Sequence, residues 1–413
     1  MQKTGRFSKH LKKAILWTAL LIALALVLFT GRPKTQSIAK ESKGAAVVTA
    51  PADSFLHAIV TSDLHYTEDK NVYAGLVPGM AYAGKITDAM ITQVIALQPD
   101  VFIMTGDNTN GGSARDVAAL VKKLQMIRDA GIPVIVTMGN HDLDHMTSEK
   151  FVEYYEPLMD IVERDAASFS YVTIVNDIVF LAMDDSTATK GNFGFYSDET
   201  LAWMFTMLEK YADHPVVYLS HHNVLFGQED PKSKAYRIQN EGLVDLLKAH
   251  QVKLLLTGHQ HGQRITESDG MYEIISAMPL SGRHLYGNLW IGKKEIAYQA
   301  AALSLSEYMD VTDLAELTRA EAEHDKEFDK TILSLLKKSS YTLQEQAEMK
   351  HLFDRYMAYQ AEGTLTEHAE EIKKHPSYEK LVDALNDYNY GPWIKASVEA
   401  PSRNAMSLRI RLR

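Results

Sequence analysis

Five short apolar runs, each ending abruptly in residues that bind cations, constrain this chain more than any other feature. Phe55–Thr61 runs into Ser62-Asp63-Leu64-His65, and Val101–Thr105 into Gly106-Asp107-Asn108. Val134–Met138 runs into Gly139-Asn140-His141-Asp142, Val216–Leu219 into Ser220-His221-His222-Asn223, and Leu254–Leu256 into Thr257-Gly258-His259-Gln260-His261. A β-rich apolar run stopped by Gly or by polar residues is how a strand ends at a loop. In open α/β sheets the ligand site lies outside the carboxyl ends of the strands. Each ending alone reads equally well as a polar turn. Five at the same end of the strands of one sheet would face one another.

Between the runs lie segments of helical period, Lys85–Leu97, Ala114–Ala130, Asp198–Tyr211 and Glu241–His250. That alternation predicts an α/β layered fold with helices on both sides of the sheet. Tyr171–Met183, broken at Asn176-Asp177, reads as a β-hairpin set inside it. Ile274–Ile275 is a further strand, and one last strand is expected within Asn288–Ala300. Beyond Leu303, Glu307–Lys338, Leu343–Gln360 and Glu367–Asn389 have helical period and predict a small helical C-terminal region. The tail Met406–Arg413 alternates apolar residues with Arg409, Arg411 and Arg413. It reads as an edge strand with one solvated basic face, or else as a contact for anionic lipid headgroups.

The side chains at the strand ends restrict the chemistry. Two carboxylates, one amide oxygen and several imidazoles form an oxygen and nitrogen ligand set without sulfur, which suits Mn²⁺, Fe, Zn²⁺ or Co²⁺. The chain has no cysteine, so disulfides, thiolate sites and Cys nucleophiles are excluded. Asp63-Leu64-His65 can turn two side chains to one ion, and His259-Gln260-His261 can send two imidazoles to neighbouring ions. Gly258 lets the backbone approach closely. Asp107, after a Gly at the end of a central strand, is the candidate bridge between two cations, which together clamp phosphoryl oxygens and supply hydroxide at neutral pH.

The N-terminus carries Lys3, Arg6, Lys9, Lys12 and Lys13 and then Ala14–Thr30, seventeen residues without a charge. At ~1.5 Å per residue such a helix is near the lower limit for crossing ~30 Å of hydrocarbon. A basic flank before an apolar run is an export signal or a signal anchor. Ser37-Ile38-Ala39 is the candidate cleavage site, but it lies well past the run, which favours an uncleaved anchor. Pro33–Asp53 then reads as a tether. Setting those five positive charges aside from the net −10 leaves −15 for the rest, which argues against a nucleic-acid backbone as main partner.

The order of these motifs, Asp63/His65, Gly106-Asp107, Gly139-Asn140-His141-Asp142, His221 and Gly258-His259-Gln260-His261, resembles the calcineurin-like metallophosphoesterase superfamily. The resemblance covers roughly Phe55–Ala300. It implies a four-layer αββα metallophosphoesterase sandwich over residues 54–302, preceded here by a membrane segment (1–31) and a tether (32–53) and followed by the helical region (303–413). It implies two divalent transition-metal ions, Mn, Fe or Zn. Asp63, His65, Asp107 and His261 would hold one, and Asp107, Asn140, His221 and His259 the other. His141 would contact the phosphoryl oxygens, and hydroxide between the metals would attack. His222 would lie on the substrate side. Several branches of the family place an Asp three residues after the bridging Asp to pair with the catalytic His. Here Asn110 stands there, which leaves Asp142 or another carboxylate to support His141.

The resulting expectation is a membrane-tethered hydrolase of phosphodiesters or phosphomonoesters with its catalytic domain outside the cytoplasm, or secreted if the signal is cleaved. The alternatives are a lipid-headgroup phosphoesterase and a non-catalytic envelope protein with a structural metal site. Loops Tyr66–Gly84, Asp185–Tyr196 and Phe226–Arg237 are expected to shape the pocket.

Overall fold

The computed structural model describes residues 48–70, 77–189, 191–226, 237–362, 364–386, 390–399 and 406–412. The expected membrane segment and most of the tether lie outside them. Among the described residues no helix is long and apolar enough to cross a membrane.

The alternating strands and helices form two mixed sheets rather than one. Strands β1 (Ser54–Thr61), β2 (Val101–Thr105) and β3 (Val134–Thr137) pair in parallel at one side of the first sheet. Parallel neighbours need a crossover, and α1 (Ala83–Leu97) and α2 (Ala114–Asp129) provide it. After α3 (Ser148–Tyr155) the chain enters the second sheet. There β4 (Glu163–Arg164), β5 (Tyr171–Val175) and β6 (Ile178–Ala182) run antiparallel. The turn between β5 and β6 has Asn176 and Asp177 at φ 48° and 62°, as the expected hairpin requires. Helices α4 (Asp198–Lys210) and α5 (Leu243–Ala249) then carry the chain to β7 (Val216–Leu219) and β8 (Leu254–Thr257), again in parallel.

Besides the two-residue β4, which no apolar run announces, the strands differ from the sequence reading at two places. β9 (Arg264–Ser268) pairs antiparallel with β10 (Met271–Ile275) through Asp269-Gly270, both in the left-handed region. Its Arg, Thr, Glu and Ser residues give no apolar run, so only the Asp-Gly turn marked it. The single last strand expected within Asn288–Ala300 is a long hairpin, β11 (Leu285–Gly292) and β12 (Glu295–Ala302), turning at Lys293-Lys294. It returns to the first sheet, whose order, with the C-terminal strand β13 (Ser407–Arg411) at its edge, is β13-β12-β11-β1-β2-β3, while the second is β4-β5-β6-β7-β8-β10-β9.

Strand periodicity shows how the sheets face each other. Ile178, Phe180 and Ala182 of β6 join the large core shared with the first sheet. The alternate residues Val179 and Leu181 pack with Met204, Met207 and Leu208 of α4. Tyr171 crosses between the sheets, and its hydroxyl donates to Val136 O and accepts from Val136 N, both at 3.0 Å. The five loops therefore come from the ends of two sheets, three from the first and two from the second.

The C-terminal chain continues through α6 (Leu305–Tyr308), α7 (Val311–Lys338) and α8 (Leu343–Glu362), with its own apolar core around Phe353 and Ile394. The helix expected over Glu367–Asn389 is instead α9 (Leu365–Lys373) and α10 (Tyr378–Ala384), separated at Pro376, which cannot continue a helix. After α11 (Tyr390–Glu399), the tail returns as β13 (Ser407–Arg411) on the edge of the first sheet. Leu408 and Ile410 are buried and Arg409 and Arg411 exposed, the expected edge-strand pattern.

Candidate metal centre

The loops after β1 and β2 are zipped together. Asp63 N donates to Gly106 O at 3.0 Å, and His65 N to Asp107 O at 2.9 Å. The two sheets are joined at the same place. His259 N, after β8, donates to Asp63 Oδ2, after β1, at 3.0 Å, while Gly258 N donates to His221 O at 3.0 Å and ties the two loops of the second sheet to each other. Asp63, His65, Asp107, His259 and His261 all have positive φ, between 40° and 67°. Non-glycine residues adopt this region at a cost of about 1–2 kcal/mol each, and such strain gathers at functional sites. Two glycines permit the approach. A Cβ on Gly258 would lie 1.8 Å from Ser62 Oγ and 2.6 Å from Asp63 Oδ2, and one on Gly139 2.2 Å from Asp107 N.

Two groups of ligand atoms result, Asp63/His65/Asp107/His261 and Asp107/His221/His259, which share Asp107. His261 Nε2 lies 3.2 Å from Asp63 Oδ1 and 3.2 Å from His65 Nε2. His65 Nε2 lies 3.6 Å from Asp107 Oδ2, on whose other side His221 Nε2 stands at 3.2 Å. Ligand atoms held about 2.1 Å from one ion stand about 3.0–3.4 Å apart, so the spacing fits cations between these atoms. Asp63 Oδ1, Asp107 Oδ2, Asn140 Oδ1 and His221 Nε2 are buried with no hydrogen-bond partner. Each such atom costs about 1–3 kcal/mol unless something satisfies it. His221 Nδ1 lies 2.9 Å from Thr105 O, and donating a proton there would leave Nε2 as the ligand nitrogen. The donor set and its orphaned atoms thus fit divalent cations.

Charge in the cluster is strongly coupled. Burial works against ionisation of Asp107, but the imidazoles of His221, His141 and His65 overcome it and hold the carboxyl well below its ordinary range. Burial also opposes a proton on His221, yet Asp107 pushes its pKa up to about 10. Burial drives His65 down to about 3 and His259 well below the usual imidazole value. On His221 Nε2 a proton and a cation compete for one lone pair.

His141 follows Asn140 in a short 3₁₀ turn, His141–Leu143. Its N–H donates to Asp107 Oδ1 at 2.8 Å, which fixes it beside the shared carboxylate. Its Nδ1 meets Asp144 Oδ2 at 2.9 Å. Burial lowers the imidazole, but Asp107 and Asp144 outweigh it and raise it to about 9. The carboxylate beside His141 is therefore Asp144. Asp142 instead accepts from Asn108 N, Asn108 Nδ2, Thr109 N, Thr109 Oγ1 and Gly139 N at 2.8–3.1 Å, pinning the β2 and β3 loops together.

Beyond Asp144, two further carboxylates position the site without having been assigned that role from the sequence. Asp185 accepts from His221 N at 3.1 Å, His222 N at 2.7 Å and Ser186 Oγ at 2.9 Å, and lies 2.9 Å from His222 Nδ1. It follows the apolar β6, the same signal that marked the other five loops. Glu273, buried on β10, accepts from the backbone N–H of Val224, Leu225 and Phe226 at 2.6–3.0 Å. No local pattern announces it. His222 is wholly buried, its ring 4.3 Å from that of His259. His57 stacks on Trp290, and His284 meets Glu321 at 2.9 Å, as structural residues do. Arg264 is buried over the Phe226 ring and donates to Ser397 of α11.

Two facing sheets with a shared-carboxylate cluster at their joined ends are the frame of a metal-dependent phosphoesterase. The family's sequence profile, described as calcineurin-like phosphoesterase, matches residues 56–263, and the chain belongs to that family. It is 29% identical over 187 residues to the "Probable glycerophosphodiester phosphodiesterase" of Arcobacter nitrofigilis, over 44% of this chain and 64% of that protein. It is 25% identical over 204 residues to the "Probable cyclic nucleotide phosphodiesterase" of Moraxella catarrhalis, over 48% of this chain and 69% of that one. A dimetal phosphatase from Danio rerio superposes with a TM-score of 0.46 at 14% identity, over 60% of this chain and 97% of that structure.

Proposed function

We propose that this protein hydrolyses phosphodiesters at a two-cation site. Asp63, His65, Asp107 and His261 would hold one divalent transition-metal ion, and Asp107, Asn140, His221 and His259 the other. The observation that carries the reading is the sharing of Asp107 by two ligand groups. When bound, such a pair of ions supplies charge neutralisation for phosphoryl oxygens and lowers the pKa of water. The chain's own residues do the rest. Asp107 Oδ1 holds the His141 N–H and sets that ring at the edge of the cluster. Asp144 orients the ring through Nδ1 and leaves Nε2 for the substrate. His141, carrying a proton, stabilises charge on the phosphoryl oxygens or gives that proton to the leaving alkoxide. Asp185 and Glu273 keep the His221 loop in register.

Diesters are preferred over monoesters because the relatives named above carry phosphodiesterase names. The test is hydrolysis of bis-p-nitrophenyl phosphate and p-nitrophenyl phosphate by the purified chain loaded with Mn²⁺, Zn²⁺ or Fe²⁺. Faster turnover of the diester, lost in Asp107→Asn, is expected. No turnover of either ester with any metal would overturn the reading.

The reading extends to cell location. Five basic residues followed by seventeen uncharged ones support a single N-terminal anchor, with the four-layer catalytic domain of residues 54–302 outside the cytoplasm. Carbonate extraction of membranes and protease access to intact spheroplasts test it. A protein that washes off, or stays protected, contradicts it.

A further inference from the structure

Residues 237–239 run as a short extended segment between two loops of the site. Arg237 bridges in parallel to Asn223, and Ile238 to Gly194. Ile238 N donates to Asn223 O at 2.9 Å, and Gln239 N to Gly194 O at 2.9 Å. Successive side chains of an extended segment leave opposite faces. Ile238 enters the core that holds Tyr196 and Leu225. Arg237 leaves the other face, together with its bridge partner Asn223. Asn223 is two residues beyond His221, and its Nδ2 donates to Thr257 Oγ1 at 3.0 Å and to Gly258 O at 3.1 Å, immediately before His259.

We propose that Arg237 recognises an anionic group on the alcohol portion of the substrate, separate from the phosphoryl group at the cluster. The inference rests on the phosphoesterase reading above. Arg115, Arg128, Arg164, Arg355 and Arg409 each meet a carboxylate. Arg237 meets none among the described residues. Its side chain is half-buried, its Nε is wholly buried without a partner, and beside it Asn223 Oδ1 is buried without one too. A buried guanidinium N–H is costly unless an acceptor satisfies it, and the planar fork of an arginine matches carboxylate and phosphate oxygens. An uncharged alkyl group would not repay that cost. The substrate class is therefore a phosphodiester whose alcohol carries a carboxylate or a second phosphate.

The test compares wild type, Arg237→Ala and Arg237→Lys, all metal-loaded. The substrates are ethyl, carboxymethyl and 2-phosphonooxyethyl p-nitrophenyl phosphates, which share one leaving group. Arg237→Ala is expected to raise KM for at least one anionic ester about tenfold more than for the ethyl ester, with Arg237→Lys between. Which anionic arm responds distinguishes carboxylate from phosphate. Equal factors for all three esters overturn the inference while leaving the phosphoesterase reading intact. So does a structure with bound product in which a single water bridges Arg237 Nε and Asn223 Oδ1. If wild type hydrolyses none of the esters, the phosphoesterase reading fails, and calorimetric titration with glycolate and ethyl phosphate decides this inference alone. Equal affinities in wild type and Arg237→Ala would overturn it.

Discussion

His141 Nδ1 stands 2.9 Å from Asp144 Oδ2, three residues further along the same 3₁₀ turn. The pair supplies locally what the Asn at position 110 does not. Asp144→Asn removes a charge that favours the imidazolium, so the His141 pKa falls from about 9 toward its ordinary value. A proton required for catalysis is then lost at lower pH. The alkaline limb of the kcat/KM profile should move down relative to wild type, with kcat reduced about tenfold or more and KM little changed. An unmoved limb would remove Asp144 from this role.

Asp107→Asn keeps the shape of the shared residue and removes its charge. Both cation groups lose their common anion, so activity should fall by about 10³-fold or more. Metal content per chain, measured by plasma mass spectrometry, should drop in parallel. Wild-type metal content in the variant would show that Asp107 is not a ligand.

Metal affinity should depend on pH with a definite sign. The His221 pKa is raised to about 10 in the cation-free chain, so cation binding at neutral pH displaces its proton. Affinity should rise with pH, by about tenfold per unit for each proton displaced. Competition titrations with a chelator of known affinity at pH 6, 7 and 8 measure it. A flat dependence would mean that His221 is already neutral.

Deleting residues 406–413 tests whether the tail belongs to the core. Met406, Leu408 and Ile410 are buried against β12. Burial of each such side chain contributes about 1.5–3 kcal/mol, against a total stability of about 5–15 kcal/mol. The melting temperature should fall clearly, and a truncation after Ala302 should not give a stable soluble domain. An unshifted melting temperature in the shorter deletion would place the tail outside the core.

The five loops were legible because each follows an apolar run that ends sharply in Asp, Asn or His. Their separation into two sheets was not, since β11 pairs with β1 across more than two hundred residues of chain and no local pattern encodes that register. β9 was missed because Arg264, Thr266, Glu267 and Ser268 are polar and leave Ile265 as its one apolar residue. Asp144 escaped because a 3₁₀ turn brings the fourth residue back beside the first, a geometry that the Gly-Asn-His-Asp string does not display. Asp185 obeyed the strand-end rule but stood in a loop read only as a pocket wall. Glu273 acts on backbone amides 47 to 49 residues away, so only the fold reveals it.

The central claim is that Asp107 is shared by two cations. Anomalous diffraction from crystals grown with Mn²⁺ tests it most directly. The account predicts two peaks about 3.5–4 Å apart, both within bonding distance of the Asp107 carboxylate. A single peak, or two peaks with Asp107 bound to neither or to one alone, would contradict it.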